Sequence, residues 1–285
     1  MIQSMTGFGK SSLQLPNKKV TVEIKSLNSK GLDLNFRMPS VFREMELGLR
    51  NQVAQKLERG KVEFSLFVEV TGEETTAKVN APVVQSYINQ LREVVDGDAT
   101  ELLKMAVRMP DALKTEREEI DENDWKAIQG VVDEALVNIK SFRASEGAAL
   151  QKDFVTRIAN IKALMEATVA HDGERIESVK TRLQNAIAEL KVNVDENRFE
   201  QELIYYLEKM DITEEKVRLE NHLNYFVETL EGNQANGRKL GFITQEMGRE
   251  INTMGSKANH AQMQKLVVQM KDELEKIKEQ VLNVL

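Results

Sequence analysis

Cysteine is absent from the 285 residues. This excludes disulfides, thiolate metal ligands and a cysteine nucleophile together, and it suits a reducing compartment. Any bound metal must then be held by oxygen and imidazole. No apolar run approaches the roughly 18 uninterrupted residues that a membrane span needs, and the start has no basic patch followed by an apolar stretch of signal-peptide length. A soluble, cytoplasmic protein with no membrane partner is the expectation. Aromatics are scarce at 5%, whereas charged residues reach 30%, a balance that belongs to long solvated helices with narrow apolar stripes. A Gly-rich phosphate loop, a dinucleotide fingerprint, a His-Glu-x-x-His pair and a nucleophile-elbow serine are also missing, which disfavours nucleotide-dependent and serine-hydrolase chemistry.

The net charge of -7 argues by itself against a polyanionic partner, because affinity for nucleic acid comes mainly from neutralised phosphates. Its distribution argues otherwise. Residues 1–61 carry eleven Lys/Arg against five Asp/Glu, a local +6, and the remainder carries -13. The basic end is a candidate phosphate surface.

Period-two alternation marks strands at Val20, Val22 and Ile24, at Leu32, Leu34 and Phe36, and from Val62 to Val70. Asn28–Gly31 supplies turn chemistry, so the first two strands are expected as a hairpin or a strand-loop-strand pair. Val41, Met45, Leu49, Val53 and Leu57 recur at four-residue intervals and predict one helix ending at Gly60. After Thr71-Gly72 the strand signal disappears and apolar spacing becomes helical, with breaks at Asp96-Gly97-Asp98, Met109-Pro110 and Asp195-Glu196-Asn197. The fold class expected is α+β and mainly helical. A basic, strand-rich α+β domain over 1–80 is followed by a helical region over 81–195 and long C-terminal helices over 196–285. The span 121–192 fits either an extended helical arm or ordinary bundle helices.

Chemistry-bearing residues concentrate between Asp211 and His260. Asp211 and Glu214 have capping-box spacing, and Leu219, Leu223, Phe226 and Leu230 form an apolar stripe. At about 100° per residue, Glu214, Glu215, Arg218 and His222 group on another face. A solvated charge ladder is the plain alternative. Gly237-Arg-Lys-Leu-Gly241 looks like a basic turn able to approach a phosphate, opening a helix from Phe242 to about Asn252. There Ile243, Met247, Ile251 and Met254 face inward, while Glu246, Arg249, Glu250 and Thr253 share a side. Carboxylates at i and i+4 suit a hard divalent cation, although Arg249 can instead close an interhelical salt bridge. His222 and His260 lie in this segment, and His171 is expected at the surface.

Three separated motifs, Ser4-Met-Thr-Gly-Phe-Gly9, Arg218-Leu-Glu-Asn-His222 and Gly237 to Thr253 followed by Ser256-Lys-Ala258, resemble the YicC-like endoribonuclease family. Glu23 to Ser29 and Leu32 to Pro39 agree with it as well. Gly241, where an acidic residue is common, and Gly248 depart from the pattern. The resemblance implies an endoribonuclease that uses Mn²⁺ or Mg²⁺, assembles into a ring-like homo-oligomer such as a hexamer, and takes part in bacterial RNA turnover alongside other enzymes. On that basis His222, Glu246, Glu250 and Arg249 are the expected catalytic residues, with Glu246, Glu250 and His222 as metal ligands. Arg218, Arg238, Lys239 and Lys257 are expected to bind RNA. A non-catalytic RNA clamp presenting substrate to another nuclease would use the same cations, and a purely structural oligomer would use the Arg and Glu residues at its interfaces.

Overall fold

A computed structural model describes residues 2–71, 77–115, 121–190, 195–232 and 237–285. Strands β1 (Gly7–Gln14), β2 (Lys18–Leu27), β3 (Leu32–Arg37) and β4 (Gly60–Val70) form one sheet in the order β1-β2-β4-β3. The alternation that predicted them reflects a single buried face. Val20, Val22 and Ile24 of β2 and Val62, Phe64 and Leu66 of β4 point into the core, and polar neighbours point out.

The expected partnership of the first two predicted strands is corrected. β4 lies between β2 and β3, and β3 pairs with β4 in parallel. Parallel neighbours need a crossover. The 3-10 turn Ser40–Met45 and helix α1 (Glu46–Leu57) supply it, so the segment predicted as one helix is a tight turn followed by a regular one.

A second departure is the two-stranded ladder of β5 (Ala77–Val79) and β6 (Leu113–Thr115), which brackets α2 (Ala81–Val94) and α3 (Ala99–Ala106). No strand was expected beyond residue 71, because three residues are too few to display a period. Gly72 of the expected stop lies outside the described residues.

Helix α4 (Glu122–Ala170) has 49 residues, about 70 Å at 1.5 Å per residue. Its first half covers the sheet with Ile128, Val132, Ala135, Leu136 and Ile139. Its second half brings Phe154, Ile158, Ile161 and Met165 into a helical core with α7 (Thr213–Glu231), α8 (Gly237–Lys257) and α9 (Ala261–Val281). α4 is thus a shared beam between two cores. Between it and α7 come α5 (Asp172–Leu190) and α6 (Glu196–Lys209), most of whose described side chains are exposed. No helix among the described residues is long and apolar enough to cross a membrane.

The ends of the chain meet. Ile2 is buried in the helical core, Met5 N–H donates to the Asn283 carbonyl at 2.7 Å, and Leu285 N–H donates to the Gln3 carbonyl at 3.0 Å. Arg143 lies beneath this junction, fully buried. It donates to the Met5, Leu57 and Arg59 carbonyls and to Ser26 Oγ.

Candidate active site

The apolar stripe of α7 folds as expected. Leu219, Leu223, Phe226 and Leu230 are buried against Leu240, Ile243, Met247, Ile251 and Met254 of α8, and Phe226 meets Phe154 of α4 edge to face at 5.7 Å. Two polar contacts fix the antiparallel register. Lys257 Nζ lies 2.7 Å from Glu215 Oε1 at one end, and Lys239 Nζ lies 4.6 Å over the Tyr225 ring at the other. His222 lies on α7 between Glu215 and Tyr225, and Glu246 and Glu250 lie on α8 between Lys239 and Lys257.

Glu250 is 9% exposed and has no hydrogen bond or ion pair to any described residue. Its oxygens are not among the fully buried polar atoms that lack a partner, so the carboxylate still meets solvent at its tip. Glu246, one turn earlier, has a side chain 41% exposed and pairs with Arg249 at 2.8 Å. Arg249 therefore closes a contact within α8, not between helices, and its own side chain is 72% exposed. His222 is part-buried, and no described residue hydrogen-bonds its ring.

Arg218 pairs with Glu214 one turn away, with both side chains largely exposed. For that pair the solvated ladder describes what is seen, and Glu214 is used there instead of bonding back as in a capping box. Glu215 does not share that face. It is 6% exposed because it sits four residues before Leu219 on the buried stripe, where a carboxylate survives by pairing with Lys257. The sequence grouped it with Glu214, Arg218 and His222 because a charged residue interrupting a stripe looks like the stripe's edge.

The expected basic turn at 237–241 is the first turn of α8. Gly237 serves close approach, since a Cβ there would lie 2.4 Å from the Val284 carbonyl oxygen. Arg238 thus projects from a helix. It lines an open groove of about 440 Å³ together with Phe242, Gln245 and Lys278.

Lys257 was expected on RNA, but its ammonium is engaged by Glu215 and by the Asp211 carbonyl at 2.8 Å. His171, expected at the surface, stacks on His260 with centroids 5.7 Å apart, and its Nδ1–H donates to Glu174 Oε2 at 2.9 Å. That bond holds the Glu174 carboxyl below the usual glutamate range.

The Asp211 carboxylate accepts from Thr213 Oγ1 at 2.7 Å and Thr213 N–H at 3.0 Å, and these bonds lower its pKa below the usual aspartate range. A carboxyl whose pKa falls on folding stabilises the fold above its unfolded value, and that contribution is lost as pH drops through the folded one. Asp211→Ala is accordingly expected to cost about 1 kcal/mol at neutral pH, the usual worth of a helix-start acceptor, and to flatten the acid limb of stability. Urea titrations at neutral and acidic pH check this, and parallel limbs for both proteins would contradict it.

Among the described residues no three of His, Asp and Glu converge as a protein-only metal cage requires. Glu246 and Glu250 nevertheless fit a hard divalent ion of the kind bound through one or two carboxylates, with water and substrate phosphate completing its shell. Glu250, buried and unpaired, is the donor best suited to such a cation.

Residues 2–152 match the family described as Endoribonuclease YicC-like, N-terminal region, and residues 168–285 match Endoribonuclease YicC-like, C-terminal. A protein of Clostridioides difficile (strain 630) named "Probable endoribonuclease YicC" is 33% identical over 293 residues, covering 100% of both chains. A protein of Haemophilus influenzae with the same name is 29% identical over 290 residues, again covering 100% of both. With matches running through both ends and the α7–α8 motifs, the chain belongs to the YicC-like endoribonuclease family.

Proposed function

We propose that this protein hydrolyses phosphodiester bonds within single-stranded RNA with the help of Mn²⁺ or Mg²⁺, on the paired helices α7, which carries His222, and α8, which carries Glu246 and Glu250. The observation that carries the reading is Glu250, a residue largely buried in α8 whose carboxylate has no partner among the described residues and still reaches solvent at its oxygens. Such a charge is retained where a cation or a reaction uses it.

In this reading Glu250 and Glu246 hold the cation, which supplies charge neutralisation at the phosphate and acidifies water. Arg249 and Arg218 are exposed guanidinium groups, each restrained by an acid on its own helix. In this reading they turn from those acids to take phosphate oxygens bidentately when RNA binds. Arg238 and Lys239, on the first turn of α8, extend the cationic line toward the groove that also holds exposed Phe242. An aromatic side chain there suits an unstacked base. His222, with neither ring nitrogen engaged by a described residue, can hold or move a proton at the leaving or attacking oxygen.

The charge split between the basic start and the acidic remainder supports assembly into a homo-oligomer, a hexamer in our proposal, whose basic surfaces face a shared space. The absence of cysteine suits action in the cytoplasm, with other RNA-turnover enzymes as partners.

The test is incubation of the purified protein with a short single-stranded RNA, with and without Mn²⁺ and with excess EDTA. Internal cleavage that appears with Mn²⁺ and disappears with EDTA is the expected result. Binding without cleavage under every condition would favour the RNA clamp.

A further inference from the structure

We infer that Lys257 and Glu215 are positioning residues, a clamp that sets the register of α7, which carries His222, along α8, which carries Glu246 and Glu250. The inference rests on the ribonuclease reading of that helix pair. Apolar packing holds the two helices together, but among the described residues no polar contact crosses between them at His222, Glu246 or Glu250. Arg218 pairs with Glu214 inside α7, and Arg249 pairs with Glu246 inside α8. His222 and Glu250 bond to no described residue. The polar contacts that tie the two helices lie at the ends of the pair, and of these Lys239 over Tyr225 is a loose one at 4.6 Å.

The Lys257 end is built more firmly. One ammonium donates to Glu215 Oε1 at 2.7 Å and to the Asp211 carbonyl at 2.8 Å, fastening the end of α8 to the start of α7 twice. Glu215 Oε2 is buried with no partner of its own. If Lys257 left for a phosphate, a full buried charge would be stranded, an arrangement the fold resists. The backbone at Lys257 is held as well. Arg175 Nη1 donates to the Lys257 carbonyl at 3.1 Å and to the Met210 carbonyl at 2.6 Å, while Nη2 pairs with Asp172 at 2.6 Å. The α4–α5, α6–α7 and α8–α9 connections are therefore fixed at one point. A slip of α8 by a single residue moves its side chains about 1.5 Å, and a misplacement of about 1 Å can cost on the order of 10²-fold in rate.

The experiment uses the full chain with three variants, Lys257→Met, Lys257→Arg and Glu215→Gln. Lys257→Met and Glu215→Gln are each expected to lower kcat for RNA cleavage by about 10²-fold, with RNA affinity and its salt dependence as in the wild type. Lys257→Arg, which keeps the charge, is expected to restore most of the rate. With only three histidines in the chain, the His222 imidazole can be followed by NMR without RNA. Its resonance is expected to move in Lys257→Met and Glu215→Gln and to stay in place in Lys257→Arg.

Weakened RNA binding with a shallower salt slope in Lys257→Met, beside wild-type behaviour in Glu215→Gln, would overturn the clamp and make Lys257 a phosphate contact. If Lys257→Met fails to fold, Glu215→Gln carries the test, because it keeps the buried side chain's shape. Wild-type protein that cleaves no RNA defeats the ribonuclease reading. The His222 resonance still decides the clamp in that case, and an unmoved signal in both variants overturns it.

Discussion

Glu250→Gln is expected to lower metal-stimulated RNA cleavage by about 10²- to 10³-fold, the usual cost of losing one electrostatic contributor at a reacting centre, while leaving the protein as stable as the wild type or more so. The two halves of this expectation have one cause. The residue is 9% exposed, and its carboxylate, unpaired among the described residues, still reaches solvent at its oxygens, so the charge is open to a cation and a neutral amide of the same shape costs the fold little. A residue kept for folding would show the opposite pattern. Single-turnover cleavage at saturating Mn²⁺, with a calorimetric melt of the same preparations, reads both. Wild-type cleavage by the variant would remove Glu250 from the site, and a large fall in Tm would make it a structural acid.

Gly9→Ala is expected to destabilise the fold by about 3 kcal/mol or more, at the upper end for overpacking a closed core. β1 runs against α4 so closely that a Cβ at position 9 would stand 2.2 Å from the Ala135 carbonyl oxygen and 2.7 Å from the Ile139 nitrogen. Both are backbone atoms of a long helix and cannot turn aside as a side chain would. Gly31→Ala is the control, since nothing lies within 4 Å of its added methyl. Urea unfolding of the three proteins measures the difference. Equal midpoints would mean that β1 and α4 can separate at little cost.

Legibility in the sequence followed how completely a feature is local. β2 and β4 were readable because one face of the sheet is buried and the other solvated. α7 and α8 were readable because each presents one stripe to the same core. Strand order was not, because it depends on the crossover through α1, which no pairwise pattern within β2 and β3 announces. β5 and β6 are too short to show alternation. Glu215 and Lys257 lie 42 residues apart in sequence and meet only when α7 and α8 pack, so Glu215 was grouped with Arg218 and His222 and Lys257 with the RNA-binding cations, and their pairing was not legible. Glu246 and Glu250 were singled out by their spacing. That one is solvated and salt-bridged while the other is buried and alone is a property of the helix pair, invisible along α8 itself.

The seating of Ile2 among helices near the far end of the chain constrains the order of assembly. The sheet can form once α4 has followed it, because every element it uses comes before residue 171. The helical core cannot close over Ile2 until α9 exists, and the Asn283 carbonyl that receives Met5 N–H comes later still. During synthesis the first residues must wait uncovered beside a finished sheet for about 110 further residues, a delay that scales with the distance between contacts rather than with their strength. Truncation of the last few residues would therefore be felt first at the other terminus, as exposure of Ile2 and Met5 to proteolysis.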